Sequence, residues 1–202
     1  MKHLSRKVLL TIAAVGTTAS IAGLGTFATF TSTTSATHSV SSGTVAIALG
    51  ASGAANRLSV SATNVVPGDT IQRAVDLIST STDGLGSVTL TTSAPTTTSL
   101  LDTDATNGLQ MLIDECSVAW TESGSSPAYT YTCSGTTTAN LTTGTVIRSG
   151  ATLSGLSILT ASGTAHLRIK LTLPSTAGNT FQTLSSVIDY SFLGTQRTAT
   201  NR

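Results

Sequence analysis

Apolar and polar residues alternate most clearly over residues 165–173. Leu167, Ile169, Leu171 and Leu173 fall on one face there, and His166, Arg168, Lys170 and Thr172 on the other. A period of two marks a strand half-buried in an antiparallel sheet. Pro174 ends it, since proline brings no N–H to a ladder. Residues 70–79 alternate likewise, with Ile71, Arg73, Val75 and Leu77 against Gln72, Ala74, Asp76 and Ile78. Residues 87–92 set Val88 and Leu90 on one face, and residues 186–193 do the same with Ile188, Tyr190 and Phe192. Further strands are predicted at residues 43–49, near 57–62, within the apolar run 109–120, at 129–133 and at 156–159. Turns are predicted at residues 50–56, at Pro67-Gly68-Asp69, at 83–86 and at 122–127, where Gly, Pro, Asn, Asp and Ser cluster. Residues 93–108 look irregular, and a helix has a place at most at 138–143. Many short strands separated by turn signals indicate an antiparallel sandwich or barrel.

The amino end breaks this pattern. Lys2, Arg6 and Lys7 precede an uncharged, largely apolar run over residues 8–24, and small residues follow at Thr26 and Ala28 and at Thr34 and Ala36. These are the three regions of a secretory signal peptide. The run is diluted by Thr, Ser and Gly and falls short of the roughly 20 strongly apolar residues that span a bilayer. The expected organisation is a signal peptide over residues 1–29, an extended Ser/Thr-rich arm over 30–42, a sandwich over 43–197 and a polar tail over 198–202. The mature chain should begin between Thr29 and Thr37 and have no membrane contact after cleavage.

Composition agrees with strands. Charged residues make up 9%, aromatic residues 4% and hydrophobic residues 39%, with Ser and Thr filling most other positions. Branched Thr and Val suit a pleated surface. The whole chain carries +1; without the three signal cations, seven basic residues face nine acidic ones, a net charge of −2. The remaining cations are scattered, which argues against nucleic acid as a partner.

Residues that could carry chemistry are few. Catalytic zinc needs about three ligands and an activated water. The three histidines are His3 in the signal, His38 in the arm and His166 on a polar strand face, and no HExxH occurs. A Gly-x-Ser-x-Gly elbow is absent as well. A meeting of His166 with Asp189 across strands is the nearest approach to a hydrolase pair. Asp102, Asp104 and Asn107-Gly108 fail the spacing of a calcium loop and read as a solvated turn. Asn140-Leu141-Thr142 fits a glycosylation acceptor by chance. No catalytic residue, metal or cofactor is expected.

Cys116 and Cys133 are the two cysteines, and in an exported chain an even count reads as a structural disulfide. Such a bridge closes a loop of about 15–20 residues and contributes about 3 kcal/mol in the chain-entropy model. With Cys116 opposite Cys133, the same register pairs Val118 with Tyr131 and Trp120 with Tyr129. All six then share one face of a hairpin ribbon, with residues 121–128 as its loop. That face either covers the core or forms a stiff contact edge.

Four segments carry a family resemblance: GLGTFATFTSTTSA at residues 23–36, Ser42-Gly43-Thr44-Val45, Val66-Pro67-Gly68-Asp69, and LPSTAGNTFQTLSSVIDYSFLGTQR at residues 173–197. In order and spacing they resemble the TasA/camelysin family of secreted bacterial surface and biofilm-matrix proteins. The chain departs from that pattern in its cysteine pair and its expanded region 93–135. The resemblance implies an all-β, antiparallel jelly-roll-like β-sandwich preceded by a signal peptide that a dedicated export signal peptidase removes. It also implies a secreted, cell-surface or extracellular-matrix protein that forms or joins fibres. Self-association would occur by strand addition, the arm bearing Phe30 and Val40 completing the sheet of the next subunit; other matrix proteins are the alternative partners. Some relatives carry the name of camelysin-type metallopeptidases, so a cell-surface metallopeptidase is the competing expectation. A polysaccharide-binding module is a third, poorly served by one Trp and three Tyr.

Overall fold

The computed structural model describes residues 45–59, 62 and 64–198. The signal segment, Phe30, Val40 and the rest of the arm lie outside these. Alternation sets the long strands where expected. Strand β1 is Ile47–Leu49, β2 is Thr70–Ser79, β3 is Leu85–Ser93, β4 is Gln110–Cys116 and β5 is Thr121–Ser125. Then come β6, Ala128–Thr132; β7, Thr137–Thr145; β8, Ala151–Thr152; β9, Gly163–Thr172; and β10, Asp189–Gln196.

Five strands form one sheet in the order β1-β2-β9-β4-β7, and three form a second in the order β10-β3-β8, while β5 and β6 pair only with each other. All pairings are antiparallel. After β2 the chain passes repeatedly between the sheets: β3, β8 and β10 lie in one, β4, β7 and β9 in the other, with β4 and β7 paired neighbours joined through the β5–β6 hairpin. Inward side chains of both sheets make one core, with Val75, Leu77, Met111, Ile113, Leu167 and Ile169 facing Leu85, Val88 and Leu90. Ile188, Tyr190 and Phe192 pack against it as their shared face predicts. Fully burying each large aliphatic side chain stabilises the fold by roughly 1.5–3 kcal/mol. The protein is thus an all-β antiparallel sandwich.

Several local expectations fail for identifiable reasons. Residues 138–143 are not helical but lie within β7, where Leu141 sits opposite Ile113 of β4; a partner strand outweighs weak local preference. Residues 156–159 are not a strand. They form a 3-10 turn, Ser157–Leu159, with Leu156 and Ile158 buried as a plug. A short apolar run alone does not separate the two. Among the described residues of 57–62 no strand forms. Contact with β2 there is limited to the bridge Asn56↔Val75 and a bond from Arg57 N–H to Ala74 O of 2.9 Å. Within 93–108 lies a one-turn helix, Leu100–Thr103, where Ser99 accepts from Leu101 N–H and Asp102 accepts back from Ser99 N–H in a capping box.

Candidate functional site

The register of β2, β9 and β4 writes a polar strip on the outer face of the five-stranded sheet. Asp76, His166 and Cys116 lie side by side, then Ala74, Arg168 and Asp114, then Gln72, Lys170 and Leu112. The inward positions between them are Val75 and Leu77, Leu167 and Ile169, and Ile113 and Glu115, all buried. Arg168 grips Asp114 with Nε and a terminal nitrogen. His166 Nδ1 lies 2.7 Å from Asp76 Oδ1.

The β5–β6 hairpin is fastened over this strip. The bridge Cys116–Cys133 is present, with Cα atoms 5.7 Å apart and a sequence separation of 17. Its predicted setting is wrong. Cys116 has Thr137 of β7 on one side and His166 of β9 on the other, so β4 has no free edge for a third strand. The hairpin ladder begins only at Thr121↔Thr132 and runs to Ser125↔Ala128 around Ser126-Pro127. Residues 122–125, read as a turn, are therefore strand. Gly124 lies opposite Tyr129 at φ +84, and a Cβ there would stand 2.4 Å from Ala128 O. Only glycine allows this tight return.

The four expected face residues part company as a result. Tyr131 faces Glu122 rather than Val118, and its hydroxyl donates to Glu122 Oε2 at 3.0 Å. Tyr129 faces Gly124 rather than Trp120. Trp120 precedes the ribbon; its ring lies 4.3 Å from the Arg168 guanidinium carbon, and its Nε1 donates to His166 O at 2.8 Å. Val118 remains 43% exposed and joins no cluster. Arg168 also donates to Tyr131 O, so Trp120, Tyr131 and Asp114 converge on one guanidinium.

At the margin of the hairpin, Glu122 takes two hydrogen bonds from Arg57, at 2.7 and 2.9 Å. The Arg57 guanidinium holds the Glu122 carboxyl below its ordinary range. The Tyr129 ring lies 4.7 Å from Arg57 and 6.0 Å from Arg73. Burial pushes the Tyr131 phenol up. Neither Arg57 nor Glu122 stands out in sequence, because their pairing depends on a strand order that periodicity does not reveal.

On the same flank the sandwich is open between β1 and β10. A groove of about 270 Å³ runs there, lined by Leu49, Asn56 and Leu58 on one wall and Ile188, Asp189 and Tyr190 on the other. Arg57 sits between two wall residues.

Other candidates find structural roles. His166 meets Asp76, not Asp189, which belongs to β10 of the other sheet opposite Ser93. Asp104 accepts from the N–H groups of Thr106 and Asn107 in a turn, but the solvated turn expected over Asp102–Gly108 is only partly so, because Asp102 and Gly108 are buried. Burial alone would raise the Asp102 carboxyl, but bonds from Ser186, Thr98 and Ser99 outweigh it and hold it below its ordinary value. Asn140 is 2% exposed and donates to Ser154 O, so the acceptor pattern is closed to a modifying enzyme.

Fold and site together define a disulfide-pinned antiparallel β-sandwich whose polar sheet face is covered by an appended hairpin. Residues 3–201 match the family model described as camelysin metallo-endopeptidase, and the chain belongs to that family. No curated protein matches the sequence. The family description implies a metal, and the described residues do not fit one. They include no group of three or more His, Cys, Asp or Glu placed to hold an ion. His166 is engaged by Asp76, and both cysteines are bridged. His3 and His38 lie outside the described residues.

Proposed function

We propose that the protein is a secreted structural protein of the cell surface or extracellular matrix, a fibre-forming or fibre-associated subunit without catalytic activity. Family membership supports surface association. The signal at residues 1–29 would direct export and be removed by the export signal peptidase. No helix among the described residues is long and apolar enough to cross a membrane.

The observation that carries the fibre reading is the open flank. All eight residues of β10 pair with β3 on one side, and among the described residues no strand pairs its other side. An edge of that length invites another strand. Leu193 of β10 is 61% exposed and Leu49 of β1 is 42% exposed. The described chain begins close to this strand, since a Cβ at Gly194 would lie 3.1 Å from Ile47 Cγ2. Thirteen arm residues reach about 43 Å when extended, more than the roughly 26 Å that eight strand residues need. The arm of one copy is therefore long enough to cover β10 of the next, with Phe30 and Val40 as side chains that set register. Removal of residues 30–41 should abolish filaments in electron micrographs while far-ultraviolet circular dichroism stays that of a folded sandwich. Filaments of unchanged abundance would overturn the reading. The competing reading, a cell-surface metallopeptidase, is favoured by the family description.

A further inference from the structure

We propose that Arg57 and Glu122 are positioning residues for the β1/β10 groove, so that the bridged hairpin sets how tightly this flank holds an added strand from a second copy. The inference rests on the strand-addition reading above. Beyond Leu49, which pairs with Leu77 of β2, the groove's first wall is weakly tied to its own sheet. Residues 50–57 touch β2 through Gly50 N–H to Asp76 O at 2.8 Å, Asp76 N–H to Ala55 O at 2.8 Å and Arg57 N–H to Ala74 O at 2.9 Å. The pairing then ends. The N–H of Leu58, the next wall residue, turns back to Asn56 Oδ1 at 3.1 Å instead of a strand partner. Among the described residues past this point no ladder holds the wall.

The side chain of Arg57 replaces it. Its guanidinium makes a two-pronged, charge-assisted contact with Glu122 of β5 and stacks on Tyr129 of β6. A guanidinium held in a fork is fixed in direction as well as distance. The hairpin supplying both contacts is in turn anchored to the centre of the five-stranded sheet, through Cys116–Cys133 and through Arg168 to Tyr131 O. A mechanical path thus runs from β4 through the bridge to β6, across to Glu122, into Arg57 and on to Leu58. Asn56 and Leu58, on either side of Arg57, line the groove. An incoming strand would pair with β10 and pack its inward side chains against that wall. A wall left free to move charges its ordering entropy to each binding event, which lowers affinity without removing any contact.

The test uses the full mature chain and a fluorescent synthetic peptide of residues 30–42, followed by anisotropy. Wild-type protein should bind the peptide. Glu122→Gln should weaken binding about tenfold, equivalent to about 1.4 kcal/mol, with the circular dichroism of the sandwich unchanged. The exchanged pair, Arg57→Glu with Glu122→Arg, should restore affinity to within about threefold of wild type. Thiol reduction of unmutated protein should weaken binding in the same direction, which keeps the proposal exposed if a variant misfolds. Binding by Glu122→Gln indistinguishable from wild type would overturn the inference while leaving strand addition standing. Failure of wild-type protein to bind the peptide would overturn strand addition, and the inference with it.

Discussion

Tyr190 shows what one half-buried phenol implies. Burial pushes its phenol from 10.0 up to about 12. Its neutral form is favoured in the folded chain, so the unfolded chain ionises first. The stabilisation is complete below pH 10, the ordinary value, and is lost as pH rises towards about 12. An absorbance titration should show the Tyr190 phenolate appearing last, together with unfolding. Tyr190→Phe should move the alkaline midpoint upward. Three tyrosines titrating together near the ordinary value would contradict this. At this scale the sequence was legible where type alone decides. Leu167, Ile169, Val88 and Leu90 had to be inward, and the two cysteines had to be considered together. The partners Asp76, Asp114, Arg57 and Glu122 were not legible, because an ion pair is a property of two positions and the second belongs to another strand.

Elements with a strong period were read within a few residues, as β2 and β9 show. The misread ones lack that period for a reason. Strand β5, Thr-Glu-Ser-Gly-Ser, has no apolar residue, because its inward side chain is Glu122 and its return requires Gly124. It therefore looks like a turn. The assumed hairpin register failed for a topological cause: β4 is an interior strand with both edges occupied, a fact that bridge geometry alone does not disclose. The bridge now has a clear local effect. Cys116→Ser with Cys133→Ser should lower the urea midpoint by the equivalent of about 3 kcal/mol, the loop-entropy value. Amide exchange should quicken over residues 117–136 and stay slow in β9, which is held on both edges by β2 and β4. Equal acceleration in β9 would show that the hairpin is integral to the core and not an attachment.

For the whole molecule the two functional readings diverge in one assay. A ligand inventory reduced to His166 beside Asp76, with both cysteines bridged, supports no hydrolytic zinc centre among the described residues. Purified mature protein should leave casein intact, and a chelator should change nothing. Chelator-sensitive cleavage by homogeneous protein would establish the peptidase and would direct attention to His38. Sandwich architecture was readable because many short strands leave few other ways to bury their faces. The division into a five-stranded and a three-stranded sheet was not, since strand order depends on contacts far apart along the chain.

That distance also governs timing. Strand β2 lies between the three-residue β1 and β9, and Asp76 is 90 residues from the His166 it faces. A chain delivered amino end first, whether from a ribosome or an export channel, holds β2 without its main neighbour until nearly all of it has emerged. Long-range pairings of this kind close slowly, because loop entropy must be overcome before any contact compensates. The sandwich therefore closes late, once β9 has emerged to pair with β2.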